Sequence, residues 1–285
     1  MQQVGVVKEI WRYPVKGMAG EQLECCSIGE IGVFGDRIWA LRDTQRQEVQ
    51  SCKFRPELLQ CTAILMKDGS VSITMPHGDA LSSDDTSLND RLSSLVGHDS
   101  TLERLKPLYD DGENLAFYRR YKVKGETWLD ELKATFTREP GEPLPDFSQM
   151  PQQVQDFVTI PGTFFLVSPL HFITTASIQS MQQKLPEADW DVRRFRPNIV
   201  IETPEGHQGL VEQAWIGRQL TIAGLNIPCT AAAPRCGAIT RAQNALAFDA
   251  SMLRTVVRDA DQNLGIYGST QEEGELRVGD AVYLQ

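Results

Sequence analysis

Short apolar runs, separated by turns that contain Gly or Asp, occupy the first hundred residues and return in the second half. The clearest are "VGVVKEIWRYPVKG", "GDRIWALRD", "LECCSI", "PNIVIE", "RQLTIAG", "LNIPCTA" and "ELRVGDAVYLQ". Runs of this length, bounded by turn residues, predict β-strands. "TAILMKDGSVSITM" predicts a hairpin in which Asp68 and Gly69 supply the positive φ angles of a tight turn.

The stretch "DDTSLNDRLSSLVG" has the spacing of a helix instead. Its predicted apolar face consists of Leu88, Leu92 and Leu95. Asp84 or Asp85 is expected to cap the helix, and Gly97 is expected to end it.

Two further helices are expected in the second half of the chain. "TASIQSMQQKL" places Ile178, Met181 and Leu185 on one face, with Thr174 or Thr175 as its cap. "DASMLRTVVRD" also reads as helical. Many short strands with few helices predict an α+β protein that is mainly antiparallel β and barrel-like.

Residues 107–160 differ from both flanks, because they are rich in Pro, Gly and charge and show no sustained periodicity. We interpret them as a connection with one short helix near "TWLDELKATF". The sequence therefore predicts an N-terminal β-barrel domain over residues 1–106 and a second barrel domain over residues 161–285.

The net charge of the chain limits the class of macromolecule that it is expected to bind. The 285 residues include 28 Lys or Arg and 38 Asp or Glu, giving a net charge of −10. Nucleic-acid binders show a basic surplus instead, so no nucleic-acid partner is expected. No apolar run has the length of a membrane span and no signal-peptide pattern opens the chain, which predicts a cytoplasmic protein with no membrane partner.

The six cysteines include no C-x-x-C pair, so zinc and iron–sulfur spacings are absent. Cys236 follows Arg235, and a neighbouring cation favours the thiolate that acts as nucleophile or soft-metal ligand. Cys229, in an apolar strand, is interpreted as a core residue. Three alternatives stay open for Cys236: a packed thiol, a disulfide with Cys229 that a reducing compartment disfavours, or a ligand.

Three arginines crowd the segment "DVRRFRPNIVIE": Arg193, Arg194 and Arg196. One interpretation is a solvated strand entrance paired with carboxylates. The other is an anion clamp, since guanidinium groups bind phosphate or carboxylate bidentately, with Asn198 as an added donor and acceptor. Lys16 and Arg37, taken alone, are expected to be surface charges.

Taken in order, "YPVKGM", "GVFGDRIWALRD", "RFRPNIVIE", "EQAW", "APRCGAIT", "LGIYG" and "LRVGDAVYL" resemble the MOSC family preceded by its N-terminal β-barrel domain. The resemblance covers most of the chain outside 107–160. It points to the branch that holds the mitochondrial amidoxime-reducing components and their bacterial homologues, which reduce N-hydroxylated compounds.

The resemblance implies a molybdenum cofactor, a pterin dithiolene with a phosphate, held in a cleft between the two domains. Cys236 takes the role of metal ligand and catalytic residue. The residues that match cofactor contacts are Lys16, Gly17, Arg37, Ser168, Arg196, Asn198, Arg235 and Tyr267. Such a protein would be an oxidoreductase that removes oxygen from an N-hydroxylated compound.

Some positions depart from the family. Gly17 stands where relatives commonly have Ser, and "PRC" with "GAIT" replaces the usual "SRC" with "TT". No iron–sulfur cysteines follow, so the electrons are expected from a separate donor protein of ferredoxin, flavin or cytochrome type. The alternative function is a carrier that transfers the cofactor, or sulfur as a persulfide on Cys236, to another protein.

Overall fold

The computed structural model describes residues 1–109, 111–118, 128–147, 156–157 and 159–285. The strands of these residues, numbered in chain order, are β1 Gln2–Arg12, β2 Glu21–Leu23, β3 Cys25–Gly29, β4 Gly32–Val33, β5 Trp39–Asp43, β6 Glu48–Val49, β7 Thr62–Leu65, β8 Val71–Thr74, β9 Ala80–Ser82, β10 Ser100–Arg104, β11 Leu170–Thr174, β12 Ile199–Glu202, β13 Gln219–Ile222, β14 Leu225–Pro234, β15 Asn263–Gly268, β16 Gly274–Arg277 and β17 Ala281–Leu284. The helices are α1 Leu88–Val96, α2 Leu115–Tyr118, α3 Trp128–Ala134, α4 Thr175–Lys184 and α5 Ser251–Asp259.

Seven of the strands close into a barrel, in the order β12-β11-β15-β14-β13-β17-β1, with β1 pairing back onto β12. The pairs are antiparallel except β11 with β12. Val4, Val7 and Ile10 of β1 are buried in the barrel core, three residues apart because the register of β1 shifts between Gln3 and Gly5 and again between Val7 and Glu9. The predicted class, α+β and mainly antiparallel β, is confirmed.

The barrel takes strands from both ends of the sequence, because β1 lies between β17 and β12. Cys26 and Ile28 of β3 and Val33 of β4 add to the same core. The boundary at residues 106 and 161 stays a prediction, and the first strand of the N-terminal segment is a structural part of the barrel.

A second core lies in the N-terminal half, where α1 packs on the sheet of β7, β8 and β9 and on β5. The hairpin β7–β8 is confirmed, with Thr62 opposite Thr74. Of the two turn residues Asp68 and Gly69, only Gly69 has a positive φ, at +84°. Asp68 instead accepts hydrogen bonds from the N–H and hydroxyl of Ser70 at 3.0 and 2.6 Å, so the expectation for Asp68 was wrong.

The helix ends are mostly as predicted. Gly97 ends α1 with φ +79°, and the Thr174 side chain caps α4 by accepting from the N–H of Ser177. The expected Asp84 or Asp85 cap of α1 is wrong, because the helix begins at Leu88 and Asp85 accepts from Ser87 ahead of it.

The connection contains the predicted short helix, α3, and a further short one, α2. Residues 110, 119–127, 148–155 and 158, including part of the predicted "TWLDELKATF" and Pro-rich segments, lie outside the described residues. Among the helices described here, none is long and apolar enough to cross a membrane. The segment that follows α3 returns to the barrel beside Cys236.

Candidate functional site

Three basic side chains from distant parts of the sequence come close enough to interact: Lys16, Arg37 and Arg196, here called the cationic cluster. The two arginines contact the ring of Tyr13. Tyr13 follows β1 directly, Arg37 lies in the loop before β5, and Arg196 precedes β12. The guanidinium carbons of Arg196 and Arg37 lie 4.3 and 5.1 Å from the centre of the Tyr13 ring. The Nζ atom of Lys16 donates to the carbonyl of Phe164 at 2.6 Å.

Both arginines of the cluster have left-handed backbone angles, φ +50° for Arg37 and +56° for Arg196. Such angles are uncommon for residues other than Gly, and strained residues of this kind concentrate at functional sites. Gly17, next to Lys16, has φ +87°, and a Cβ there would lie 2.8 Å from the backbone nitrogen of Cys52. The local backbone therefore favours Gly at position 17.

The electrostatics of the cluster favour an anion. Burial, with Arg37 and Lys53 nearby, lowers the pKa of Lys16 to about 7. Burial also lowers the pKa of Arg196. Arg196 donates from Nη1 to the carbonyl of Met18 at 2.5 Å, whereas its Nη2 is buried without a partner among the described residues. A buried, unpaired guanidinium nitrogen is costly unless an acceptor meets it.

Arg193 and Arg194 do not join the cluster. Arg193 pairs with Asp191, with Nη2 and Oδ2 at 2.5 Å, as the interpretation of a strand entrance paired with carboxylates expects. Arg194 is buried and donates to backbone carbonyls, including those of Asp189 and Ala247 at 3.0 and 2.8 Å. Of the three arginines, Arg196 is the one placed to bind an anion.

Asp36, which no motif of the sequence singled out, supports the cluster by binding both Tyr13 and Arg37. Its buried carboxylate accepts from the Tyr13 N–H at 2.7 Å, from the Asn198 amide at 3.1 Å and from Arg37. Asn198 is itself buried, and its Oδ1 accepts from the His171 N–H at 3.2 Å. Asn198 thus holds Asp36, and Asp36 holds Arg37. An Asp directly before Arg37 in "GDR" is the one sequence signal for it.

Arg235 is buried and bonded within the protein. Its guanidinium donates to the carbonyls of Ala233 and Phe195 at 3.1 and 3.0 Å, and its Nη2 lies 2.6 Å from Nε2 of His171. Burial and the Arg235 charge hold the pKa of His171 well below its ordinary value, so this ring stays neutral and accepts. Arg235 therefore ties the strand before Cys236 to the loop that carries Arg196.

Cys236 follows β14 and precedes a 3₁₀ turn, Gly237–Thr240. Its thiol is free, as is that of Cys229 in the barrel core, so the two form no disulfide. Leu132 of α3 and Phe136 pack on Cys236, which is 9% exposed. The Gly237 N–H donates to the carbonyl of Thr135 at 2.9 Å, and this contact holds the segment after α3 in place.

Tyr267 lies on β15, opposite His171 of β11 and Ala231 of β14. The Tyr267 ring centre is 5.7 Å from that of His171. Burial raises the pKa of Tyr267, and the charges of Arg235 and Arg37 oppose that rise. Ser168 donates to the carbonyl of Gly268, next to Tyr267, at 2.7 Å. The fold thus brings the residues expected from the sequence into one region, with Asn198 and Arg235 engaged inside the protein.

The chain is similar in sequence to known proteins. A MOSC domain is matched over residues 161–283, and a MOSC N-terminal beta barrel domain over residues 4–112. Mitochondrial amidoxime reducing component 2 from Bos taurus is 26% identical over 303 residues, which span 99% of this chain and 84% of the relative. The Homo sapiens protein of the same name is also 26% identical, over 306 residues and the same shares.

Among solved structures, the YUAD protein from Bacillus subtilis matches over 100% of this chain and 97% of that chain, with 8% identity and a TM-score of 0.44. YiiM from Geobacillus stearothermophilus matches over 41% and 54%, with 10% identity and a TM-score of 0.30. The two domain matches together span nearly all of the chain outside the connection. The chain therefore belongs to the MOSC-domain proteins that carry the MOSC N-terminal beta barrel domain.

Proposed function

We propose that this protein is a molybdenum-cofactor-dependent reductase of N-hydroxylated compounds, with Cys236 as the metal ligand. The observation that carries the proposal is the cationic cluster, whose Arg196 Nη2 has no partner among the described residues. A hydrogen bond from Arg235 to the Phe195 carbonyl joins the segment of Arg196 to that of the free thiol, Cys236. The support from relatives is their name, amidoxime reducing component, at 26% identity over almost the whole chain.

The residues present fit such a cofactor chemically. A phosphate-bearing pterin needs cations in a partly buried site, and Lys16, Arg37 and Arg196 supply them. Molybdenum bound to sulfur needs a soft ligand, and a thiolate such as that of Cys236 is one. The orphaned Nη2 of Arg196 is a buried donor that an anionic acceptor would satisfy.

Each residue has a distinct role in this proposal. Cys236 would hold the metal, and the cationic cluster would hold the phosphate, with Gly17 giving close backbone approach beside Lys16. Ser168 and Tyr267 would bind the part of the cofactor between them. Asn198 and Arg235 would act by holding Asp36 and the Arg196 loop. When bound, the cofactor supplies two-electron chemistry that removes the oxygen atom from the substrate's N–OH group.

The overall reaction takes two electrons and two protons and releases the reduced nitrogen compound and water. The electrons would come from a separate donor protein of ferredoxin, flavin or cytochrome type. Tyr267 is the residue we assign to hold a proton at the site, because burial raises the pKa of its hydroxyl although the charge of Arg235 opposes that rise.

The test is metal content and turnover of the protein purified from cells that make the cofactor. We expect about one molybdenum per chain and reduction of benzamidoxime with an artificial electron donor. Cys236→Ala should lower turnover at least a hundredfold, while Cys25→Ser, at an exposed cysteine, should leave it unchanged. Full activity in Cys236→Ala would show that the ligand assignment is wrong. A persulfide on Cys236 in metal-free protein, found by mass spectrometry without turnover, would favour the carrier function instead.

A further inference from the structure

Tyr13 occupies the middle of the cationic cluster without a hydrogen bond of its own side chain. Its ring is 2% exposed, and its hydroxyl is buried with no partner among the described residues. Burial raises the pKa of Tyr13 despite the two arginines, so the hydroxyl stays neutral. The hydroxyl therefore does not explain why an aromatic residue sits there, whereas the two guanidinium groups on the ring do.

Arg37 and Arg196 carry like charges, so an attractive contact is needed to keep them close together. Each guanidinium carries a full charge, and the charge of Arg37 contributes to the lowered pKa of Arg196. Arg37 is neutralised by Asp36, whereas among the described residues the side chain of Arg196 has only the carbonyl of Met18 as a hydrogen-bond partner. Without a further attractive contact, Arg196 gains by swinging away from Arg37 toward water.

The Tyr13 ring supplies that contact. A guanidinium within about 6 Å of an aromatic centroid is attracted to the negative face of the ring, and the attraction is strongest when water is excluded. Arg196 at 4.3 Å and Arg37 at 5.1 Å both meet this distance. Phe165 lies 5.4 Å from Arg37, so a second ring supports Arg37 but not Arg196.

The ring is itself fixed by the backbone of the same site. The Tyr13 N–H donates to Asp36 at 2.7 Å, and its carbonyl accepts from the Arg37 N–H at 2.8 Å. Gly20 leaves room for the ring, because a Cβ there would lie 2.6 Å from Cδ1 of Tyr13. Ring and guanidinium groups are therefore preorganised before any ligand arrives.

We propose that Tyr13 is a positioning residue whose ring holds Arg196 and Arg37 together as one anion-binding pair. It acts through the two arginines, and its hydroxyl is dispensable. The inference rests on the proposed function in taking the cationic cluster as the site of the cofactor's phosphate. Binding of a plain anion to metal-free protein tests the pair without involving the reaction.

The experiment measures binding of inorganic phosphate to metal-free protein by calorimetry at one pH. Tyr13→Phe keeps the ring and should bind within about twofold of the wild type. Tyr13→Leu removes the ring and should bind about tenfold or more weakly, since two cation–π contacts are lost. Trp215→Leu, which removes a buried ring from the barrel core outside the cluster, is the matched control and should bind as the wild type does.

A graded series keeps the test decisive if Tyr13→Leu does not fold. Phenylalanines with one, two and three ring fluorines at position 13 keep the shape but progressively weaken the negative face of the ring. Phosphate affinity should fall stepwise along the series, whereas a purely structural role predicts a flat series. A flat series, a loss in Tyr13→Phe equal to that in Tyr13→Leu, or no phosphate binding by the wild type would overturn the inference.

The outcome is separable from that of the proposed function. If the wild type contains no molybdenum but phosphate affinity falls along the series, the pair stands and the cofactor assignment fails. If the protein contains molybdenum and reduces benzamidoxime while the series is flat, the function stands and the role of Tyr13 fails.

Discussion

The cationic cluster and the surroundings of Cys236 lie in one region of the molecule but are built in opposite ways. Around Tyr13, charged groups are held by hydrogen bonds and ring contacts, and no group in the described part of the chain pairs with the Arg196 Nη2. Around Cys236, the apolar side chains of Leu132 and Phe136 close over the thiol. One side is prepared for a charged group, and the other packs apolar side chains on a thiol.

The difference shows which side decides affinity and which decides access. Charged hydrogen bonds in a buried site contribute much to binding and depend on each partner. The apolar side chains that pack on Cys236 contribute to stability instead. They must move, or already leave space, before a ligand can reach the thiol. Changes in the cluster should therefore alter occupancy, while changes near Cys236 should alter the reactivity of the thiol.

The largest effect is expected from Arg196→Gln, which removes the charge and the unpaired donor. Molybdenum content of the purified protein should fall about tenfold or more, because hydrogen bonds to charged groups are the strong ones. Arg193→Gln, whose guanidinium pairs with Asp191 outside the cluster, is the matched control and should keep wild-type content. Equal losses in both variants would contradict the distinction between these two arginines.

Gly237→Ala should expose the Cys236 thiol, because it displaces the segment that packs on that thiol. A Cβ at Gly237 would lie 2.0 Å from Oγ1 of Thr137 and 3.0 Å from the carbonyl of Thr135, so the segment after α3 must shift. Alkylation of Cys236 by iodoacetamide, followed by mass spectrometry, should speed up about tenfold. Gly29→Ala, where the nearest atom to the added Cβ is 3.5 Å away, serves as the control. An unchanged rate at Cys236, measured against exposed Cys25, would show that this segment does not cover the thiol.

A smaller effect is expected from pH. Because the pKa of Lys16 is lowered from 10.5 to about 7, Lys16 is charged below that pH and neutral above it. Affinity of metal-free protein for sulfate, whose own charge is constant, should therefore fall a few-fold between about pH 6 and pH 8. Lys16→Met should give a weaker but flat profile, and an equally steep fall in that variant would assign the titration to another group.

The smallest effect is expected from Gly17→Ser, which adds a side chain at a left-handed position beside Lys16. The left-handed backbone and the nearby Cys52 nitrogen should make the change cost about 1–2 kcal/mol of stability, seen as a lower Tm. Gly206→Ser, with φ +86° but nothing within 4 Å, should cost less. If Gly17→Ser is no more costly than Gly206→Ser, the close approach to Cys52 is not a constraint.

Local patterns predicted much of this molecule. The hairpin at Gly69, the helix that ends at Gly97 and the cap at Thr174 follow from short-range backbone preferences. Cys236 beside Arg235 and Arg196 before Asn198 stood out because their side-chain chemistry is unusual in an acidic chain. What failed locally was the choice between neighbouring polar residues, as at Asp85, since several can form the same turn.

Long-range placement could not be read in the same way. No pattern in the first strand shows that it closes a barrel with residues 199–202 and 281–284. Nor does the sequence show that Leu132 and Phe136 cover Cys236 about a hundred residues away. Asp36 and Tyr13 are ordinary residues of their segments, and their roles depend on contacts with Arg196 and Asn198.

By itself, the sequence determined the strand-rich class of this protein, its principal turns and helices, and the residue types able to hold an anion and a soft metal. Those properties depend on backbone preferences and side-chain chemistry, which are set by residues close together in the sequence. Only the tertiary structure decided that Arg196 meets Tyr13 while Arg193 meets Asp191, and that Arg235 and Asn198 are bonded inside the protein. The reason is that the burial of a side chain depends on which distant segments pack together. The same packing decides which charged groups come within reach of a partner.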